Sequence, residues 1–132
     1  LGGDSQTVVL TGGEPTLQVD ADIVGALRAG GFAVHIETNG TRPSPAGIDW
    51  ITVSPKPPSR PLVQRYDEVK AVLCGEPDVE QWTGLAPIRS LQPLWSADVR
   101  EQAENVRRCI DYVMAHPHWR LSLQTHKMVG LQ

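Results

Sequence analysis

The sequence predicts an α/β fold, a partial (β/α) barrel with residues 1–132 as a single domain. Three observations point there. Short runs of aliphatic and β-branched residues recur along the chain, separated by helical patterns or polar loops. The first two runs flank a helical pattern, and a strand, helix and strand of this length form a right-handed unit with parallel strands. Glycine, proline, acid and amide residues cluster just after the runs, where parallel α/β folds place their ligands.

The first strand covers Thr7, Val8, Val9 and Leu10 and stops in Gly12, Gly13, Glu14 and Pro15. Paired glycines let the backbone turn where a side chain would clash, and let a ligand lie against the main chain. Glu14 at that strand end is placed to accept hydrogen bonds from a ligand ammonium group, and Pro15 suits the approach to a helix. A plain turn is the alternative for this stretch taken alone.

Leu17, Ile23, Val24 and Leu27 then recur at helical spacing, with Asp20 as the cap and Gly30 and Gly31 as the stop. Residues 32–38 form the second strand and run into the turn pair Asn39 and Gly40. Residues 50–53 form the third strand, ending in Ser54, Pro55 and Lys56, and the alternating run at 68–73 is the fourth. Residues 78–82 make a helical turn or two. Residues 88–91 form the fifth strand, ending in Gln92 and Pro93. Ser96 is the expected cap of a long helix whose apolar face is Val99, Ala103, Val106, Ile110 and Val113. Residues 119–123 form the last strand, and residues 124–127 read QTHK.

The chain has 132 residues, 40% of them hydrophobic and 20% charged, enough for a packed core. Its formal net charge of −3 offers no electrostatic case for nucleic acid or an anionic membrane, and no apolar run approaches a membrane span. A cytoplasmic protein is expected. Cys74 and Cys109 lie too far apart for a CxxC site, and each reads as a small apolar residue with no support for a disulfide. Because the first residue is Leu1, the chain is expected to begin inside a longer protein.

Singly, the strand-end residues have ordinary readings. Glu37 can be a surface carboxylate, Lys56 a solvated lysine, Gln92 a residue that satisfies its own backbone, and His126 a partly buried histidine. Together, TGGEPTLQ, IETNGT, VSPK, EVKAVL, LQPLW and RLSLQTHK occur in order, each at a strand or its end. In this the sequence resembles the 7-carboxy-7-deazaguanine synthases, radical S-adenosylmethionine enzymes of deazapurine and queuosine biosynthesis. TGGEP is shared across the superfamily, while VSPK followed by QTHK points to this family.

The resemblance implies a radical ring contraction of 6-carboxy-5,6,7,8-tetrahydropterin to 7-carboxy-7-deazaguanine with loss of ammonia. It implies S-adenosylmethionine, a [4Fe–4S] cluster and Mg2+ as cofactors, and a fold of the radical S-adenosylmethionine type lacking its first strand and cluster loop. Thr11, His126 and the chain end at Gln132 would meet the pterin, although the proline some members carry at that end is absent. Gly12, Gly13 and Glu14 would hold the methionine part of the cofactor. Glu37, Asn39, Ser54, Pro55, Lys56, Gln92, Pro93, Leu94 and Trp95 would line its pocket. The cluster cysteines and the neighbouring magnesium-binding threonine of the family have no counterpart in this sequence, so this chain alone is expected to be inactive. A flavodoxin- or ferredoxin-like reductant and a homodimer are implied as partners. The alternatives are another radical S-adenosylmethionine enzyme such as a glycyl-radical activase, a cluster-less nucleoside-binding domain, and a structural remnant.

Overall fold

The computed structural model describes residues 4–62, 64–73 and 79–130. Six strands, β1 (Thr7–Leu10), β2 (Ala33–Thr38), β3 (Trp50–Val53), β4 (Glu68–Leu73), β5 (Ile88–Pro93) and β6 (Arg120–Leu121), form a sheet in chain order, β1-β2-β3-β4-β5-β6. Among the described residues the helices are α1 (Ala21–Ala29), α2 (Val99–Ala115) and α3 (Thr125–Met128). Pairing is parallel between β1 and β2, β2 and β3, and β5 and β6. No helix among the described residues is long and apolar enough to cross a membrane. The chain divides into two compact units, residues 1–68 and 69–132.

In the first unit, Thr7 to Leu10 align with Ala33 to Ile36, and His35 to Thr38 with Trp50 to Val53. Side chains alternate across a strand, so Val34, Ile36 and Thr38 share the buried face of β2 while His35 and Glu37 share the half-buried one. Val24 of α1 is buried, as are Ile51 and Val53 of β3. Asp20 caps α1 through hydrogen bonds from the Asp22 and Ile23 N–H groups, and Gly30 closes it, as the sequence predicts. Leu17 departs from the expected helical face. It ends a 3-10 turn at Pro15–Leu17 and is 62% exposed, because the chain is still leaving the glycine turn there. Phe32 falls just before β2, its N–H bonded to the Leu27 carbonyl at the helix exit.

In the second unit, Val69, Ala71, Leu73, Val79, Trp82, Leu91, Cys109 and Trp119 are buried. Of the expected helical turns at 78–82, Val79–Trp82 forms a 3-10 turn, and Asp78 lies outside the described residues, as does Cys74. Two expectations for the long helix are corrected. Its cap is Asp98, whose carboxylate accepts from the Arg100 and Glu101 N–H groups, while Ser96 Oγ accepts from the Asp98 N–H one step earlier. Its inward stripe runs through Gln102, Val106, Cys109 and Val113, whereas Val99, Ala103 and Ile110 are exposed. The buried stripe uses polar side chains, so apolar residues alone locate the wrong edge of it. Only Arg120–Leu121 of the expected strand 119–123 forms β6, since the Trp119 N–H closes a turn onto the His116 carbonyl.

Candidate functional site

β1 delivers the chain to a tight turn in which Gly12 has φ +87° and Gly13 φ +56°. These are left-handed conformations that only glycine adopts freely. A Cβ on either would meet no atom within 4 Å, so the turn is a bare stretch of main chain open to a ligand. Thr11, Gly12 and Gly13 are exposed, Glu14 is half-buried and Pro15 is buried.

The Glu14 carboxylate is held from two sides. Oε1 accepts from the Thr16 N–H at 3.2 Å, the Thr16 hydroxyl at 2.7 Å and the Thr38 hydroxyl at 2.6 Å. Oε2 accepts from the Asn39 N–H at 2.8 Å. Burial by itself pushes this carboxyl up. The hydrogen bonds from Thr38, Asn39 and Thr16 outweigh burial and hold it below the usual glutamate value. Glu14 is therefore an anion fixed at a strand end beside an open main-chain turn.

The neighbouring strand ends of this unit are tied to the same point. The Ser54 N–H donates to the Thr38 carbonyl at 2.7 Å, and Lys56 Nζ donates to Ser54 Oγ at 3.0 Å. Pro55 is buried between a half-buried Ser54 and an exposed Lys56. Asn39 contributes its N–H to Glu14 and turns its side-chain carbonyl onto the Thr41 N–H and hydroxyl. Glu37 aligns with Thr52 on the other face of β2. The structure thus brings Glu14, Asn39, Ser54 and Lys56 into one chain of contacts, and places Glu37 on the opposite face from Thr38.

In the second unit, Gln92 is half-buried and Pro93 buried at the end of β5, and Leu94 and Trp95 are 43% and 40% exposed. Asn105 of α2 donates to the Leu94 carbonyl at 3.0 Å, which anchors this loop to the helix. Lys127 Nζ stands 4.9 Å from the Trp95 ring centroid, a cation–π contact between the LQPLW and QTHK segments. His126 is exposed on α3, a short helix not read from the sequence. Gln132 lies outside the described residues.

Sequence reading missed Thr38 and Thr16, the two hydroxyls that clamp Glu14. The available signal was the alternation in β2, which ends the buried row Val34, Ile36 with a threonine that needs a polar partner.

Among the described residues, one implied cofactor is fitted and the others are not. An anchored carboxylate beside free glycine main chain suits the amino-acid end of S-adenosylmethionine. A [4Fe–4S] cluster takes thiolate ligands. Cys109 is fully buried, and burial pushes its thiol up to about 12, so it does not suit that role. No group of three His, Cys, Asp or Glu among the described residues could hold a metal ion.

The parallel strands and their helices make the molecule an α/β protein, a class whose ligands commonly lie at strand carboxyl ends. No family model matches the chain. A protein of Bradyrhizobium diazoefficiens named 7-carboxy-7-deazaguanine synthase is 50% identical over 98% of this chain and 61% of its own length. Its namesake in Bordetella pertussis is 46% identical over 94% of this chain and 59% of its own length. The crystal structure of QueE from Escherichia coli superposes with a TM-score of 0.70 at 31% identity, covering 90% of this chain and 57% of that one. The chain is homologous to the 7-carboxy-7-deazaguanine synthases along nearly its whole length, and spans about three fifths of theirs.

Proposed function

We propose that this chain is the cofactor-binding part of a 7-carboxy-7-deazaguanine synthase. The complete enzyme would convert 6-carboxy-5,6,7,8-tetrahydropterin to 7-carboxy-7-deazaguanine with loss of ammonia. The observation that carries this reading is the Glu14 carboxylate, clamped by Thr16, Thr38 and Asn39 beside an open double-glycine turn. It occurs in a chain 50% identical to a protein of that name.

In this reading Gly12 and Gly13 offer main-chain groups to the methionine part of S-adenosylmethionine, and Glu14 receives its ammonium. Ser54, Pro55 and Lys56 line the cofactor, with Glu37 and Asn39 near its ribose. Thr11 of the first unit serves the pterin, and the roles of Gln92, Pro93, Leu94, Trp95, His126 and Gln132 in the second unit rest on the resemblance alone. S-adenosylmethionine supplies the adenosyl radical in enzymes of this class. The protein's own part is to bind, orient and keep water out. The [4Fe–4S] cluster and Mg2+ would be held by residues other than the described ones. A cytoplasmic homodimer fed by a flavodoxin- or ferredoxin-like reductant completes the proposal.

The test is a comparison of two samples after anaerobic loading with iron and sulfide. One is the 132-residue chain and the other the complete reading frame from which it comes. Substrate, S-adenosylmethionine, Mg2+ and a chemical reductant are supplied, and 7-carboxy-7-deazaguanine is measured by mass spectrometry. Product from the complete frame and none from the chain is expected. Absence of product from a cluster-loaded complete frame overturns the synthase reading. Binding of S-adenosylmethionine in that case favours another radical S-adenosylmethionine enzyme, such as a glycyl-radical activase.

A further inference from the structure

We propose that Thr38 is a positioning residue for ligand capture: it fixes the Glu14 carboxylate so that Oε2 presents an open acceptor direction to a ligand's α-ammonium group. The proposal rests on the reading of the glycine turn as the seat of the cofactor's amino-acid end.

A carboxylate has about two acceptor directions on each oxygen. Among the described residues, Oε1 of Glu14 receives three donors, from Thr16 N–H, Thr16 Oγ1 and Thr38 Oγ1. Oε2 receives only the Asn39 N–H. The protein therefore saturates one oxygen and leaves the other short by a donor. A cationic N–H donor fits that position, and an anionic group is repelled from it. An α-ammonium has three such hydrogens and no acceptor of its own.

Thr38 ties Oε1 to the neighbouring strand, whereas the other two donors on that oxygen come from Thr16 in the turn itself. Thr38 is 2% exposed, so it does not compete for the ligand itself. Its hydroxyl has one proton, committed to Glu14, and it accepts from the Gly40 N–H at 3.1 Å. The O–H···O separation of 2.6 Å lies in the charge-assisted range. The Thr38 main chain is fixed in turn, because it aligns with Val53 and its carbonyl accepts the Ser54 N–H. A capping role for Glu14 would need only the Thr16 N–H. The buried hydroxyl reaching across from β2 goes beyond that need.

The experiment uses the 132-residue chain and its Thr38→Val, Thr38→Ser and Glu14→Gln variants. Calorimetry measures affinity for S-adenosylmethionine and for its analogue lacking the α-ammonium. Carbon-13 NMR follows the titration of the Glu14 carboxyl, assigned by its loss in Glu14→Gln. Thr38→Val is expected to weaken S-adenosylmethionine about tenfold, as loss of a hydrogen bond to a charged group does, and to leave the analogue unchanged. Thr38→Ser, which keeps the hydroxyl, is expected to stay within about twofold of wild type. Equal affinity of Thr38→Val and wild type for S-adenosylmethionine overturns the proposal, as does equal loss for both ligands. Wild type that binds neither compound overturns the cofactor reading itself. The NMR titration then decides the positioning claim alone: the claim stands if the Glu14 carboxyl titrates higher in Thr38→Val and falls if it is unmoved. Should Thr38→Val not fold, Thr38→Cys keeps the volume with a weak donor and takes its place in every comparison.

Discussion

Tyr66 closes its phenol over Gly40 so tightly that a Cβ built on Gly40 would lie 2.8 Å from the Tyr66 hydroxyl. The same Cβ would lie 2.7 Å from Val53 Cγ2 and 2.8 Å from Pro61 Cβ, at a backbone φ of +77°. Tyr66 is buried and donates to the Leu62 carbonyl at 3.0 Å, so it has little room to retreat. Gly40→Ala therefore combines left-handed strain with overpacking and is expected to cost about 2–4 kcal/mol. Urea unfolding of the chain measures it, and a loss under about 1 kcal/mol would show that the Tyr66 loop yields freely.

The glycines of the candidate site call for the opposite outcome. Gly12 and Gly13 have positive φ but nothing within 4 Å of a built Cβ. Gly12→Ala and Gly13→Ala are expected to keep the fold at a cost of about 1–2 kcal/mol each. Their main effect should fall on binding, since the new methyl group occupies the space where a ligand would approach the main chain. Thermal melts and calorimetry with S-adenosylmethionine separate the two effects. Undiminished affinity in both variants would remove the turn from the site.

Much of the fold was legible because local chemistry and tertiary packing agree in it. β1, β3 and β4 sit where their apolar runs are, and Asp20 and Gly30 bound α1 through cap chemistry that is local to the helix ends. The double-glycine turn was legible for the same reason, since its conformation is a property of two adjacent residues. Thr38 was not, because its importance comes from Glu14, 24 residues away in sequence. The face of α2 was misread for a related cause. Gln102 sits on its inward stripe while the apolar Val99 is 82% exposed, so composition alone points to the wrong side. α3 was invisible because four residues carry too little periodicity to be seen.

Cys109 supplies a chemical check on the core of the second unit. It is fully buried, and burial pushes its thiol up to about 12. The thiolate is the reactive form, so Cys109 is expected to resist iodoacetamide at pH 8 in the native chain and to react once urea unfolds it. Peptide mapping reads the Cys109 peptide separately from that of Cys74. Rapid native labelling of Cys109 would mean that α2 opens from the sheet at low cost.

Glu80 gives the clearest expectation for pH dependence. Its Oε1 accepts from the Tyr112 hydroxyl and from Trp119 Nε1 at 3.0 Å, and Oε2 lies 3.4 Å from His118 Nε2. One carboxylate thus joins the 3-10 turn at Val79–Trp82 to α2 and to the segment entering β6. The Tyr112 hydrogen bond is the main cause that holds this carboxyl below its ordinary value. Burial, the next largest cause, opposes it, and His118 and Trp119 add to the lowering. A folded-state value below the unfolded one means that the stabilisation is fully present above the ordinary 4.5 and is lost as pH falls through the lowered folded value. Glu80→Gln retains an acceptor for Tyr112 and Trp119 but cannot titrate. Glu14, Asp49 and Asp67 are also held low, and because both proteins share them they cancel in the difference. Wild type is therefore expected to exceed Glu80→Gln by about 1 kcal/mol near neutrality, as for one solvent-accessible charged hydrogen bond. That gap should close on the acid side of 4.5. Denaturant unfolding of both proteins across the acid range measures the gap. A difference that stays constant with pH would mean that Glu80 holds these elements by shape and hydrogen bonding alone, with no contribution from its charge.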